Sequence, residues 1–258
     1  MNKKIATWNV NSLRVRMPQL LEWLENVQPD IVALQETKVQ DKDFPADALE
    51  VAGYKVIYSG QKSYNGMAII SRHLDAEEIT TDIPGLDDPQ RRILAATYGG
   101  LRVINLYVPN GQSLGSDKFH YKLEWLEQLR LYIESQLQQY PCLVVVGDFN
   151  IAPDERDVCD PTKWHDKILC SDQERQMLQQ INACGLQDSF RLFDQADDSF
   201  SWWDYRANAF PRNLGLRIDL ILASESLCKN AVSCHIDTSP RGLERPSDHA
   251  PVIAEFAD

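Results

Sequence analysis

Polar side chains that bind cations or move protons stand at the ends of apolar runs throughout this 258-residue sequence. Asn9 and Asn11 follow KIATW, Glu36 follows DIVALQ, and Tyr107 and Asn110 close NLYVPN. Asp148 and Asn150 follow CLVVV, Asp219 interrupts LRIDLIL, and Asp248 with His249 precedes APVIAEF. One Asn or Asp after a strand is an ordinary turn residue, but these stations share a chemical theme. Glu36 closes a hydrophobic strand, where an unpaired carboxylate carries a heavy desolvation cost. A divalent cation removes that cost, and an oxygen-rich donor set without thiolates suits Mg²⁺ or Mn²⁺ better than zinc. Neighbours on an extended segment face opposite ways, so Asp248 and His249 do not orient each other. Asp219 is the expected partner of the His249 ring, because an Asp buried in an apolar run must be paired. A histidine held in this way suits proton transfer or charge stabilisation at a phosphoryl group.

The elements that must position these groups follow from periodicity. Lys4 to Val10 reads as a strand, Pro18 to Val27 as a helix with Pro18 in its first turn, and Asp30 to Gln35 as a returning strand. The plan recurs: LRVINLYVPN is a strand, Phe119 to Leu137 a long amphipathic helix, and CLVVVGDFN the strand that returns. Between the copies, KVIYSG with GMAIIS and RILAATYGG with LRVINLYV read as antiparallel neighbours. Ser171 to Glu174 has the form of a capping box opening a helix that Gly185 closes, and VIAEF is a final strand. Gly147 is expected to let the chain turn closely beside a substrate, with Asp148 and Asn150 pointing to one side of an extended segment. Two similar halves of helices and mixed strands predict an α/β (α+β) fold of two packed β-sheets with helices outside.

A hydrophobic fraction of 43% supports a large core, and no linker or low-complexity tract divides the chain, so one domain over residues 1–258 is expected. The polar stretch from Asp154 to Cys170 is a candidate functional loop. No signal-peptide core or long apolar run is present, which predicts a soluble, cytoplasmic protein without a membrane partner, monomeric by default. The six cysteines form no CxxC pair and read as buried free thiols. The net charge of −12 opposes a polyanionic partner at long range. Acidic residues crowd expected helices such as Asp41 to Glu50 and Asp194 to Asp198, whereas arginines gather elsewhere, so a local basic face is compatible with the total.

TWNVNSLR, LQETK, GDFN, FSWWDYR, LRIDLIL and PSDHAPV, in this order from about residue 3 to 256, resemble the exodeoxyribonuclease III family of abasic-site endonucleases, within the endonuclease/exonuclease/phosphatase superfamily. The resemblance implies a four-layer αββα sandwich with its active site at the common edge of both sheets. By the same resemblance Glu36 is the principal Mg²⁺ ligand, supported by Asn11 and Asp248, with Mn²⁺ as a substitute; Asp148 and Asn150 are likewise metal-side residues. Asn11 stands where many relatives carry Asp. Asp148 resembles the residue that activates water, Asn150 the amide that positions it, Tyr107 the phenol at the scissile phosphate, and Asp219 with His249 the pair at the phosphoryl oxygen. Asn9 would orient the site by hydrogen bonding.

The implied partner is duplex DNA with abasic sites or 3′ ends, and no protein partner is indicated. The superfamily also serves small-molecule and lipid phosphates, so the polar stations alone imply phosphoester hydrolysis; a catalytically silent DNA-binding repair factor is a second rival. Trp202 with Leu216 is similar to an apolar pocket for a flipped baseless sugar, whereas Trp203 reads as structural. Arg72, Arg91, Arg206, Arg212 and Arg217 are candidate phosphate contacts, as are Asn110 and Lys118. His73, His120 and His235 lack a comparable constellation. His165, in TKWHDK, reads either as an exposed loop residue or as a side chain at the DNA groove that obstructs or stacks on one strand. Replacing it with Gly is expected to change the ratio of abasic-site incision to 3′-exonuclease rate; matched duplex assays giving an unchanged ratio would remove it from substrate choice.

Overall fold

The structure, a computed structural model, describes residues 2–257. Along the chain run β1 (Lys3–Asn9), α1 (Leu13–Val27), β2 (Ile31–Gln35), α2 (Ala46–Val51), β3 (Lys55–Ser59), β4 (Met67–Ser71), β5 (Glu77–Thr80), β6 (Ile93–Tyr98) and β7 (Leu101–Tyr107). There follow α3 (Asp117–Gln139), β8 (Leu143–Asp148), α4 (Pro161–Trp164), α5 (Asp172–Ala183), β9 (Leu186–Asp188), β10 (Asp219–Ser224), α6 (Glu225–Cys228), β11 (Ala231–Ile236) and β12 (Val252–Phe256). The strands form two six-stranded mixed sheets, ordered β11-β12-β1-β2-β4-β3 and β5-β6-β7-β8-β10-β9. Each sheet is built round one parallel pair, β1 with β2 and β7 with β8, and each pair is joined by one helix, α1 or α3.

Strand alternation produces the four layers. Ile5, Ile31 and Ala33 face Val103, Val144 and Val146 in the core between the sheets. The intervening Ala6, Val32 and Leu34 pack on Leu20, Trp23 and Leu24 of α1. On the other side, Ile104, Leu143 and Val145 pack on Trp125, Leu126, Leu129 and Ile133 of α3 and on Leu178 and Ile181 of α5. Both faces of β8 are therefore dry, as its unbroken apolar run implies.

Just below the edge where β7 and β8 end at Tyr107 and Asp148, a buried polar clasp joins the sheets. Gln35 Nε2 donates to Asn105 Oδ1 at 2.7 Å, and Asn105 Nδ2 donates to the carbonyls of Leu34 and Ala68, each at 3.0 Å. Asn105 belongs to β7 and its partners to β2 and β4, so the clasp fixes one sheet on the other two residues below Tyr107. No helix among the described residues is long and apolar enough to cross a membrane.

Several local expectations require correction. α1 begins at Leu13, so Pro18 lies inside the helix rather than in its first turn. Asp219 opens β10 instead of interrupting a strand. Residues 194–198 form no helix, because they bridge elements without an apolar face. Gly147 is not a turn residue: it is paired within β8, and a Cβ there would lie 1.9 Å from the Leu106 carbonyl oxygen on the neighbouring strand. All six cysteines are free, but only Cys170 and Cys234 are buried. The capping box at Ser171 and Glu174 forms as read.

Asn105→Leu should lower the unfolding free energy by about 2 kcal/mol, since it removes the bond from Gln35 Nε2 and the donor shared by the Leu34 and Ala68 carbonyls, while Gln35 Nε2 keeps Thr7 Oγ1 and the Ala33 carbonyl. Urea denaturation would measure this, and a change below about 0.5 kcal/mol would show that the clasp does not hold the sheets together.

Candidate active site

The edge where β1, β2, β7, β8 and β10 end collects the polar stations. β1 and β2 bring Asn9 and Gln35 side by side, placing Glu36 just beyond; β7 and β8 bring Tyr107 beside Asp148; β10, antiparallel to β8, sets Asp219 opposite Asp148. The segment before β12 returns His249 to the same place, held by backbone pairing with Trp202 and by the Trp8 indole, which donates to its carbonyl at 3.1 Å.

One amide joins the two sheets' carboxylates: Asn9 Nδ2 donates to Glu36 Oε1 and to Asp148 Oδ2, both at 3.0 Å. Glu36 also pairs with Lys38 Nζ at 2.9 Å, and Lys38 reaches Asn11 Oδ1. Asn11 Nδ2 donates to Asp248 Oδ1 at 2.8 Å, and the Trp202 indole donates to Asp248 Oδ2 at 3.0 Å. His249 Nδ1 donates to Asp219 Oδ2 at 2.9 Å, while its Nε2 lies 3.7 Å from Asp148 Oδ2. Ser201 Oγ completes the Asp219 shell, donating to Oδ2 at 2.7 Å.

Burial and charge set the protonation states. Asp148 is pushed up to about 7, chiefly by burial and further by Asp219, against the opposing pull of His249. Burial by itself would lower His249, but Asp219 and Asp148 outweigh it and hold the ring cationic up to about 10. Burial, with Glu36 and Asp148, raises Tyr107 well above the usual phenol range, so it is a neutral hydroxyl donor. Asp248 is lowered overall: burial raises it, but His249, Asn11 and Trp202 stabilise its ionised form more.

Asn150 departs from the extended segment expected. It adopts φ 50°, its backbone N–H donates to Asp148 Oδ1 at 2.9 Å, and its side-chain amide spans Val108 O at 3.0 Å and Asn110 Nδ2 at 3.2 Å. Asn110 is thereby brought to the site. Lys118, on the first turn of α3, lines a cleft of about 470 Å³ with Asn110, Arg92 and Tyr121.

Trp202 lies at the rim, backbone-paired with Leu216, which is fully buried. Both belong to an apolar cluster with Val158, Leu169, Trp164 and Ile168, so the segment carrying His165 packs on the same patch. The His165 ring itself is exposed and lies 3.5 Å from Asp166. Arg91 precedes Arg92, whose carbonyl accepts from the Tyr107 N–H; its guanidinium pairs with Asp82 at 3.0 Å. Arg206 is exposed and clamped on Asp204 at 2.7 Å, in the loop after Trp203.

Two arginines do not join this edge. Arg72 follows β4, which runs antiparallel to β2, so it lies level with Asp30 at the far end of the sheet from Glu36, roughly 20 Å along the strands. Arg217 is fully buried and paired with Asp157 at 2.6 Å and Asp188 at 2.7 Å, so it carries structure and not a phosphate contact. Conversely, sequence reasoning passed over Lys38, Ser201 and Lys122. Lys38 sits within LQETK and was open to notice; Ser201 and Lys122 show no sequence signal because their partners are remote in the chain.

Carboxylates at a dry sheet edge, a cationic imidazole and a neutral phenol are groups suited to phosphoester hydrolysis, and residues 6–249 match the endonuclease/exonuclease/phosphatase family. The chain is 38% identical to exodeoxyribonuclease III of Haemophilus influenzae, over 98% of this chain and 99% of that protein. It is 34% identical to the exodeoxyribonuclease of Bacillus subtilis, over 96% and 97% respectively. Among solved structures, the 3′ phosphatase NExo from Neisseria bound to a product DNA hairpin matches with a TM-score of 0.97 and 47% identity, covering 99% of this chain and 100% of that one. An AP endonuclease from Archaeoglobus fulgidus matches at 0.95 and 37%, with the same coverage. The chain belongs to the exodeoxyribonuclease III branch of the endonuclease/exonuclease/phosphatase family.

Asp219 and Asp148 hold the His249 ring cationic well above the usual imidazole range, so an activity that uses the imidazolium should fall as pH rises into the alkaline range. Asp219→Asn removes one of the two carboxylates holding the imidazolium, so the alkaline limb should move to lower pH. An unmoved limb in the pH-rate profile would reject the Asp219–His249 pairing as its origin.

Proposed function

We propose that this protein is a divalent-metal-dependent DNA-repair phosphodiesterase that cleaves duplex DNA on the 5′ side of abasic sites and removes nucleotides from 3′ ends. The observation that carries this reading is the position of Asp148, within reach of both Asn9 and His249 at the seam of two sheets. The nuclease relatives support DNA as the substrate over a lipid or small-molecule phosphate, and the intact acid-base cluster argues against a silent binding factor.

The donor set fits a metal. Asp148, Asp219 and His249 offer ligand atoms that lie within 4.8 Å of one another, and burial has raised Asp148 toward neutrality, a cost that a cation removes. His249 Nδ1 and Asp219 are committed to each other, so of that cluster we assign only Asp148 to the ion, and add Glu36, Asn11, Asn150 and Asp248 on the resemblance to the family, an oxygen set that suits Mg²⁺, with Mn²⁺ as substitute. Bound there, it would neutralise phosphate charge and act as a Lewis acid.

The chain's own groups account for the proton movements. Asp148 takes a proton from water as the water oxygen forms its bond to phosphorus. Asn150 aims that water and the phosphate, and cationic His249, held by Asp219, stabilises charge on the phosphoryl oxygen. The bond from phosphorus to the 3′ oxygen breaks, and the Tyr107 phenol supplies the proton that oxygen requires. The products are a 3′-hydroxyl end and a 5′ sugar phosphate. Asn9 keeps Glu36 and Asp148 in register. Arg91, Asn110, Lys118 and Arg206 border the DNA track, Trp202 over Leu216 receives the baseless sugar, and His165 limits one strand. Arg72 has no part in this track. The whole activity resides in a single, monomeric domain over residues 1–258, acting in the cytoplasm.

Asp148→Asn should reduce turnover by about 10³-fold or more with little change in thermal stability. The assay compares a duplex bearing one abasic analogue, an intact duplex, a recessed 3′ end, a 3′-phosphate end and an inositol phosphate, each with and without EDTA. Equal rates on abasic and intact internal sites would sink the repair-endonuclease reading, and turnover unaffected by EDTA would remove the metal.

A further inference from the structure

Lys122 is a fully buried ammonium group that takes no part in the proton movements above. Its donors reach Glu174 Oε1 at 2.5 Å, the Asn150 carbonyl at 2.7 Å and the Asn110 carbonyl at 3.3 Å. Glu174, equally buried, also accepts from the N–H groups of Leu169 at 3.0 Å and Ser171 at 3.1 Å, and from the Ser171 hydroxyl at 2.6 Å. One ion pair thus gathers the exits of β7 and β8, the body of α3, the cap of α5 and the end of the loop that follows His165.

Stability gives a weak reason for this pair, because a buried ion pair adds little over apolar residues of the same volume. The α5 cap needs only Ser171 and Glu174. What Lys122 adds is a grip on two carbonyl groups, those of Asn110 and Asn150, whose side chains bond to each other at 3.2 Å. Asn150 stands at φ 50°, in the left-handed region that asparagine adopts readily, so the direction of its side chain depends on where its peptide group is held. The lysine stem packs closely against the turn after Asn110: a Cβ on Gly111 would meet Lys122 Cδ at 3.1 Å.

We infer that Lys122 is a positioning residue: its ammonium group, neutralised by Glu174, holds the peptide groups of Asn110 and Asn150 and so aims the Asn150 amide at the reacting phosphate. The inference rests on the role given above to Asn150. Lys122 is fully buried beneath the edge. It acts by fixing the backbone from which the amide projects, and a displacement of that amide by about 1 Å is enough to slow the chemistry about 100-fold.

The test uses Lys122→Met, together with Lys122→Met/Glu174→Gln, which removes both buried charges and keeps a residue suited to the capping box. Circular dichroism and thermal denaturation establish the fold, and steady-state kinetics on the abasic duplex give kcat and KM separately. The expected result for the folded double variant is a kcat reduced by about 10- to 100-fold with KM changed by less than about 3-fold. Adding the same substitutions to Asn150→Ala should then cost no further kcat, because the lysine acts through that amide. An unchanged kcat in the folded variant, or losses that multiply in the triple variant, would overturn the inference. A kcat unaffected by Asn150→Ala itself would instead overturn the assignment of Asn150.

Discussion

The site depends on the sharing of one side-chain amide by two carboxylates from different sheets. Glu36 follows a strand of one sheet and Asp148 ends a strand of the other, and Asn9 Nδ2 touches both at 3.0 Å. Two like charges meeting in a dry seam would repel each other and remain poorly solvated. The fold answers by surrounding them with compensating groups: Lys38 beside Glu36, His249 beside Asp148, and Asp219 and Ser201 behind the imidazole. The residual imbalance is the property useful for catalysis, since it leaves one carboxylate near neutrality and one ring cationic over the same pH range.

The precision of that arrangement comes from the layers beneath it. Parallel pairs β1/β2 and β7/β8 end at the same edge, so each sheet presents two adjacent strand termini to the seam. The Gln35–Asn105 clasp prevents the sheets from sliding, and Gly147 lets β8 approach β7 without a steric gap. Outside the seam, buried ion pairs fix the loops: Arg217 with Asp157 and Asp188 supports the approach to β10, and Lys122 with Glu174 supports the exits of β7 and β8.

Much of this was legible in the sequence because it rests on local patterns. Apolar runs gave the central strands, the Ser171–Glu174 box gave the start of α5, and the polar residue closing each run gave the station. The pairing of Asp219 with His249 was also legible, since a buried acid needs a partner and only a few were on offer. What was not legible depends on contacts between remote segments. Pro18 gave a misleading helix start because nothing local shows that Leu13 already caps the seam, its N–H bonded to the Thr37 carbonyl. Arg217 looked like a phosphate contact because its two acids, Asp157 and Asp188, are far away in the chain. Arg72 looked the same as any surface arginine until strand direction sent it to the far end of the sheet.

The clasp between the sheets also determines which molecule must change shape during recognition. A seam tied by buried hydrogen bonds opposes sliding of one sheet on the other, so the edge offers the nucleic acid a set shape. The cost of fitting then falls on the nucleic acid, and DNA pays least where stacking and pairing are already lost. For the abasic substrate proposed above, a set edge would favour damage before any side chain reads it: an intact duplex would have to be unstacked to reach the same groove, whereas a site without its base is already pliable.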